Sequence, residues 1–174
     1  SKRVLVFIGD GTFVMAPTEL VTAAQEGINM TVVVSENHGY QVIRRLQMWR
    51  VGHHFGNEFR YRQDGPSVAE AGSIKGTAPR LEGDYLDIDL VKMSEGMGAT
   101  AIYATTPAEI RSALADARTI KGPVVIVVPT IQHANLPASN VWWDVAPAEV
   151  STQPWVAAIR SDYEAGLSIQ RWHA

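Results

Sequence analysis

Two short polar motifs stand out because of their residue types and their spacing. Gly9-Asp10-Gly11 and Asn37-His38-Gly39 each follow an apolar run, and 25 residues separate Gly11 from Asn37. A carboxylate and an amide oxygen are ligands that suit Mg²⁺, which often shares its coordination shell with phosphate oxygens. We therefore predict a magnesium site with the side chains of Asp10 and Asn37 as ligands and a position for the backbone carbonyl of Gly39.

The residues that follow Asp10 favour an anion beside this metal. Glycine at position 11 allows a ligand to approach the backbone closely. The amides of Gly11, Thr12 and Phe13 are predicted to lie at the start of a helix, where backbone N–H groups attract phosphate. The sequence thus predicts a diphosphate-binding site next to the metal ligands.

The elements that must position these motifs follow from the apolar pattern. Short apolar runs at residues 4–8, 30–34, 99–103 and 124–128 are typical of parallel strands buried on both faces. Helical patterns lie between and after them: around Leu20, Ala24 and Ile28, at 41–49, at 89–96, from a capping box at 106–109 to about residue 118, and from about 154 to 172. This alternation predicts an α/β fold with a mostly parallel sheet flanked by helices. A crossover helix between the first two strands would bring Asp10 and Asn37 together.

The composition excludes several classes of function. The 174 residues carry a net charge of −3, so nothing indicates binding to nucleic acid or to an anionic membrane. No cysteine is present, which excludes disulfides, thiolate catalysis and cysteine-ligated zinc. No apolar run is long enough to cross a bilayer, and no signal peptide is recognisable. We expect one globular domain, residues 1–174, in the cytoplasm.

Either motif alone is typical of an ordinary turn, but the pair at this separation is far more specific. It resembles the signature of the thiamine-diphosphate enzymes, Gly-Asp-Gly followed some 25 residues later by Asn-Asn. The sequence departs from that pattern at His38, where many members have a second asparagine. Asn37 keeps the position of the side-chain ligand.

Further segments of the sequence resemble one particular subfamily of the thiamine-diphosphate enzymes. Residues 33–40 (VVSENHGY), 55–62 (FGNEFRYR), 142–145 (WWDV) and 149–151 (EVS) are similar to the trihydroxycyclohexane-1,2-dione hydrolases of inositol breakdown. That resemblance implies hydrolysis of a carbon–carbon bond of a cyclic 1,2-dione to give 5-deoxy-glucuronate. It also implies thiamine diphosphate and Mg²⁺ as cofactors, bound by residues of the two motifs: Gly9, Asp10, Gly11, Thr12, Phe13, Asn37, His38, Gly39 and Tyr40.

The resemblance also implies that other parts of the enzyme are needed. In that family a glutamate on a separate pyrimidine domain activates the cofactor, and we find no counterpart of that domain here. We therefore expect an N-terminally truncated fragment of a multi-domain homo-oligomer, with no catalytic residue of its own and no activity alone. Its expected partners are the cyclic dione and the missing pyrimidine and middle domains.

Two other functions remain open, and several residues have no assigned role. The enzyme could instead be an acetolactate-synthase-like carboligase or decarboxylase, or the chain could be a non-catalytic nucleotide-binding α/β module. Residues from about 50 to 87 are rich in glycine and are predicted to be the least regular stretch. Five residues have no assigned role: His53, His54, Arg60, Arg62 and His133. Glu19 is predicted to support the metal loop, and Trp142 and Trp143 are predicted to serve packing or an interface.

Overall fold

The computed structural model describes residues 3–51, 54, 56–62, 83–132 and 146–171. Its strands are β1 (Val4–Gly9), β2 (Met30–Glu36), β3 (Thr100–Tyr103) and β4 (Val124–Pro129). Its helices are α1 (Asp10–Phe13), α2 (Glu19–Gln25), α3 (Gln41–Val51), α4 (Leu90–Gly96), α5 (Pro107–Asp116) and α6 (Pro154–Ser168).

The four strands form one parallel sheet in the order β1-β2-β4-β3, which confirms the predicted α/β fold. The register pairs Gly9 with Ser35 and Glu36 with Pro129, so β1, β2 and β4 end at the same edge. The predicted capping box is also present, because Thr106 and Glu109 each accept a hydrogen bond from the backbone of the other. The two motifs therefore follow neighbouring strand ends, as their spacing predicts.

Apolar cores cover both faces of the central strands. Val34, Val125 and Val127 pack on one face with residues of α1, α2 and α4, among them Phe13 and Leu20. The other face packs against α5 and includes these buried residues: Val33, Ala104, Ala113, Ala117, Val124 and Ile126. Because β2 and β4 are buried on both sides, they provide a rigid base for the loops that follow them.

Two details of the predicted packing are wrong. The first strand was expected to be buried on both faces, but β1 is an edge strand, and Phe7 is 74% exposed. The first long helix was expected to bury Leu20, Ala24 and Ile28. Instead α2 buries Leu20 and Ala23, while Ala24 is exposed and Ile28 lies beyond the helix. A helix of seven residues has too few turns for its apolar spacing to define its buried face.

The described residues fall into two compact units. The first contains the whole sheet with α1, α2, α4 and α5, and it ends at Gln41 before resuming at residue 84. The second contains nearly all of α3, the segment 56–62, Gly83 and α6. Both predicted motifs belong to the first unit, so that unit alone positions them.

Several predictions concern residues outside the described ranges. They include His53, His133, Trp142 and Trp143, and residues 63–82 of the stretch that we expected to be irregular. Those predictions stay untested. In the described part of the chain, no helix combines the length and the apolar character needed to span a membrane.

Candidate functional site

The carboxylate of Asp10 is held at the end of β1 by backbone amides. Its side chain is buried, since the residue is only 2% exposed, and it accepts hydrogen bonds from three N–H groups. Gly11 N lies 2.7 Å from Oδ1, Asn37 N lies 3.0 Å from Oδ2, and Gly39 N lies 3.2 Å from both oxygens. These contacts stabilise a buried negative charge and fix the carboxylate against the turn after β2.

Asn37 brings its side-chain amide to the same point. One terminal atom of its side-chain amide lies 3.0 Å from Gly39 O and 3.0 Å from Asp10 Oδ1, and both of these oxygens are acceptors. With its nitrogen at that position, the amide donates a hydrogen bond to each of the two oxygens. With its oxygen at that position, three oxygens would converge and would need a cation between them.

The spacing of these groups is compatible with a small cation. Adjacent ligands of an octahedral Mg²⁺, with bonds of about 2.0–2.1 Å, are about 2.8–3.0 Å apart. The 3.0 Å separations are compatible with that geometry. The predicted ligands Asp10, Asn37 and Gly39 therefore lie together, in an arrangement that suits a cation of the size of Mg²⁺.

The backbone of the turn explains why histidine is accepted at position 38. His38 has a φ of 59° and Gly39 has a φ of 137°. Asparagine and histidine are both enriched at such left-handed positions, so replacing one by the other preserves the turn. The His38 ring stacks on Tyr85, with ring centroids 4.5 Å apart and an angle of 17° between the planes. The departure from the family's signature thus leaves the ligand positions intact.

Gly11 lies so close to the turn that it has no room for a side chain. A Cβ atom there would lie 2.8 Å from Cδ1 of Tyr40 and 3.0 Å from Gly39 O. The same atom at Gly9 would have nothing within 4 Å. Gly11 therefore permits the contact between the loop after β1 and the turn after β2, and Tyr40 packs against it.

Gly11→Ala is expected to lower both stability and metal affinity. The added methyl group must displace Tyr40 or Gly39 O, which is one of the three converging groups, and such overpacking costs about 1–3 kcal/mol. Thermal unfolding with and without Mg²⁺ measures both effects. Gly9→Ala is the matched control, because it adds the same methyl group in open space. Equal melting temperatures for the two variants would contradict this account of Gly11.

The structure changes the set of backbone amides that was predicted to bind an anion. Gly11 N donates to the Asp10 side chain, so this amide is already used in the structure. The amide of Thr12 lies in the first turn of α1, where backbone N–H groups have no acceptor within the helix, whereas Phe13 is the fourth helical residue and its amide can bond to Gly9 O. The amide of Thr12 is therefore the better candidate for contact with an anion.

A cleft of about 620 Å³ lies beside the turn. Glu36, His38, Tyr85 and Tyr103 are among the residues that line it. The hydroxyl of Tyr103 lies 3.2 Å from Glu36 Oε2 and donates to it. Partial burial raises the pKa of Glu36, an effect that the Tyr103 hydrogen bond partly opposes. The carboxylate of Glu36 therefore faces this cleft and is engaged there by Tyr103.

The remaining described candidates are characterised by their own surroundings. Glu19 is exposed at the start of α2, and Arg62 is exposed. Arg60 contacts its own unit, since its Nε lies 3.0 Å from Glu58 Oε2 and its Nη1 lies 2.9 Å from Gly83 O. Arg60 thus has an internal structural role in addition to any contact with a ligand. His54 lies in the second unit, whereas the two motifs belong to the first.

Three residues that contact the turn were not predicted. Ser35 and Thr130 join β2 to the end of β4, and Gln41 binds the backbone of Asn37. The pairing of Ser35 with Thr130 spans 95 residues and has no local signal in the sequence. Gln41 follows Asn37 by four residues, which is about one helical turn, so this spacing could have predicted the contact between them.

Comparison with known proteins identifies the family of this chain. The family model for the thiamine pyrophosphate enzyme, C-terminal TPP binding domain, matches residues 1–128. The 3D-(3,5/4)-trihydroxycyclohexane-1,2-dione hydrolase of Geobacillus thermodenitrificans (strain NG80-2) is 31% identical over 98% of this chain and 25% of its own length. The hydrolase of the same name from Bacillus thuringiensis (strain Al Hakam) is 30% identical over 97% of this chain and 24% of its own length. The chain thus spans about a quarter of these relatives.

Solved structures show the same fold. A thiamine diphosphate-dependent 4-hydroxybenzoylformate decarboxylase of Rhodococcus jostii RHA1 aligns over 75% of this chain and 20% of its own, with a TM-score of 0.56 and 22% identity. The benzoylformate decarboxylase of Polynucleobacter necessarius aligns over 76% of this chain and 20% of its own, with a TM-score of 0.54 and 21% identity. The match over residues 1–128 shows that this chain belongs to the thiamine pyrophosphate enzyme family, as a C-terminal TPP-binding domain.

Proposed function

We propose that this chain binds the Mg²⁺–diphosphate end of thiamine diphosphate within a larger enzyme that hydrolyses a carbon–carbon bond of a cyclic 1,2-dione. The observation that carries the cofactor part is that the side-chain amide of Asn37 lies 3.0 Å from both Asp10 Oδ1 and Gly39 O, so these three groups converge on one point. The substrate part rests on the similarity of 31% over nearly the whole chain to a trihydroxycyclohexane-1,2-dione hydrolase.

The composition of the proposed metal site favours a phosphate ligand. Asp10 supplies one negative charge, and the other two oxygens are neutral. The described residues contain no group of three or more His, Asp or Glu side chains that would hold a metal by themselves. Mg²⁺ is commonly held by one or two carboxylates together with phosphate oxygens of a bound molecule. A diphosphate beside the amide of Thr12 would supply the missing ligands and negative charge.

The bound cofactor would supply the electron sink for carbon–carbon cleavage, and the protein would bind and orient it. In this chain Asp10, Asn37 and Gly39 would fix the diphosphate end, and Tyr40 would support the loop through Gly11. We propose that the activating glutamate and the walls around the aminopyrimidine ring belong to other domains.

The proposal predicts that the 174-residue chain alone does not hydrolyse a cyclic dione. The diphosphate end of the cofactor would be bound, but its pyrimidine end would stay in water, so cofactor affinity would be weak. Incubation with thiamine diphosphate, Mg²⁺ and the trihydroxycyclohexane-1,2-dione, followed by product analysis, measures this. Cofactor-dependent turnover by the chain alone would overturn the placement of the activating glutamate elsewhere.

Turnover by a polypeptide that joins this chain to pyrimidine and middle domains tests the substrate assignment. We expect hydrolysis of the cyclic dione and no carboligation or decarboxylation of pyruvate. The opposite preference would support a carboligase or decarboxylase. The structural similarity to benzoylformate decarboxylases does not favour that reaction, because at 21–22% identity it shows the fold alone.

A further inference from the structure

The turn that carries the proposed metal ligands is anchored to the end of β4 by a pair of hydroxyl groups. Ser35 Oγ and Thr130 Oγ1 lie 2.8 Å apart and share a hydrogen bond. Thr130 also donates twice to the carbonyl of Glu36, from its backbone N at 2.9 Å and from its hydroxyl at 3.2 Å. The residue directly before Asn37 is therefore fixed by a strand that is buried at the centre of the sheet.

A second contact fixes the turn on its other side. Gln41, the first residue of α3, donates from Nε2 to the carbonyl of Asn37 at 2.9 Å. The amide of Asn37 donates to Asp10 Oδ2 at 3.0 Å. The backbone N–H and carbonyl of Asn37 are therefore both hydrogen-bonded. The N–H is bound by Asp10, which belongs to the proposed metal site, and the carbonyl is bound by Gln41, which does not.

The conformation of the turn makes these contacts consequential. His38 and Gly39 both have positive φ values, and a non-glycine residue in that region persists only where its surroundings hold it. A metal site needs its ligands held within about half an ångström of their productive positions. Two of the three converging groups, the Asn37 side-chain amide and the Gly39 carbonyl, belong to the residues on either side of His38. A change in this backbone would move both ligands at once.

We propose that Thr130 and Gln41 are positioning residues for the metal site, holding the Asn37 turn so that the Asn37 side-chain amide lies between Gly39 O and Asp10 Oδ1. This inference rests on the proposed function, since it assumes that the three oxygens bind Mg²⁺. Neither Thr130 nor Gln41 contributes one of those oxygens. Both act through the backbone, by the hydrogen bonds to Glu36 O and Asn37 O.

Thr130→Val and Gln41→Met test the proposal on the 174-residue chain. Valine keeps the shape and the backbone N–H of Thr130 and removes only its hydroxyl. Methionine keeps the length of Gln41 and removes its amide. The measurement is the Mg²⁺ concentration that gives half-saturation at a fixed concentration of thiamine diphosphate, followed by calorimetry well below the melting temperature. Outer-shell changes at metal sites cost about 10- to 100-fold, and we expect about 3- to 10-fold here because both contacts act through the backbone.

Two further variants separate positioning from general stability. Thr130→Ser restores the hydroxyl and is expected to restore the wild-type Mg²⁺ requirement. Thr100→Val makes the same chemical change at an exposed threonine at the amino end of β3, and it is expected to leave that requirement unchanged. Wild-type half-saturation in both Thr130→Val and Gln41→Met would overturn the positioning role while leaving the proposed function intact. Absence of Mg²⁺-dependent binding by the unsubstituted chain would overturn both.

Discussion

Asp10→Ala is expected to abolish Mg²⁺-dependent binding of thiamine diphosphate. The substitution removes the only carboxylate among the three converging groups, so the loss should exceed the roughly 10- to 100-fold that outer-shell changes cost. It also leaves the amides of Gly11, Asn37 and Gly39 without their shared acceptor. Each buried amide that stays unpaired costs about 1–3 kcal/mol, so the melting temperature should fall as well. Calorimetric titration of the chain with Mg²⁺ and cofactor measures the affinity.

Glu19→Ala is the control for this loss of a carboxylate. Glu19 begins α2, shortly after the Asp10 loop, but its side chain is exposed. Its removal is expected to change cofactor affinity by less than about twofold, as for surface substitutions that leave packing intact. If Asp10→Ala stays folded and its Mg²⁺-dependent cofactor affinity is unchanged, the assignment of Asp10 as a metal ligand is wrong.

Asn37→Asp is expected to destabilise the metal-free chain and to make its stability depend strongly on Mg²⁺. In the wild type the Asn37 amide can donate to Asp10 Oδ1 at 3.0 Å, whereas a carboxylate there would place two negative charges in contact. Two like charges about 4 Å apart, a distance that allows the carboxylates to move away from each other, cost about 4 kcal/mol at an effective dielectric constant of about 20. Mg²⁺ would offset that repulsion. Cofactor binding should be partly lost, because the added charge also opposes the diphosphate.

The effect of pH gives this variant a second signature. Repulsion raises the folded-state pKa of the carboxyl pair above its unfolded value. A group with a raised folded pKa contributes stability that is present at low pH and is lost as the pH rises through the folded pKa. The melting temperature of Asn37→Asp relative to wild type should therefore recover on acidification without metal. Asn37→Ala is the control, because it removes the ligand without adding charge and should show strongly weakened binding with no such recovery. A pH-independent difference for Asn37→Asp would contradict the close approach of the two side chains.

The sequence predicts that the two motifs converge because both lie within one continuous strand–helix–strand segment. Two short apolar strands joined by a crossover helix place Asp10 and Asn37 at one edge of a parallel sheet, and both strands have a clear apolar run. The Gly39 carbonyl lies beside the Asn37 side chain because it follows Asn37 in the same turn. The structure brings these three groups together as expected.

Other features depend on contacts that no local pattern records. The apolar run of β1 resembles that of β2, yet β2 has neighbours on both sides and β1 has one. The pairing of Ser35 with Thr130 depends on β4 lying beside β2, although β3 intervenes in the sequence. The engagement of Gly11 N by Asp10 depends on a side-chain rotamer, which spacing does not specify.

The most direct test of the metal site is a titration of the ¹⁵N-labelled chain observed by nuclear magnetic resonance. We expect Mg²⁺ and thiamine diphosphate together to shift the backbone amides of Gly11, Asn37 and Gly39. The side-chain NH₂ signals of Asn37 should shift as well, because cation binding requires the amide to turn its oxygen inward. The cofactor without Mg²⁺ should give much smaller changes, and ATP with Mg²⁺ should not reproduce them. Equal shifts with and without Mg²⁺, or an equal response to ATP, would contradict a thiamine-diphosphate site built on Asp10, Asn37 and Gly39.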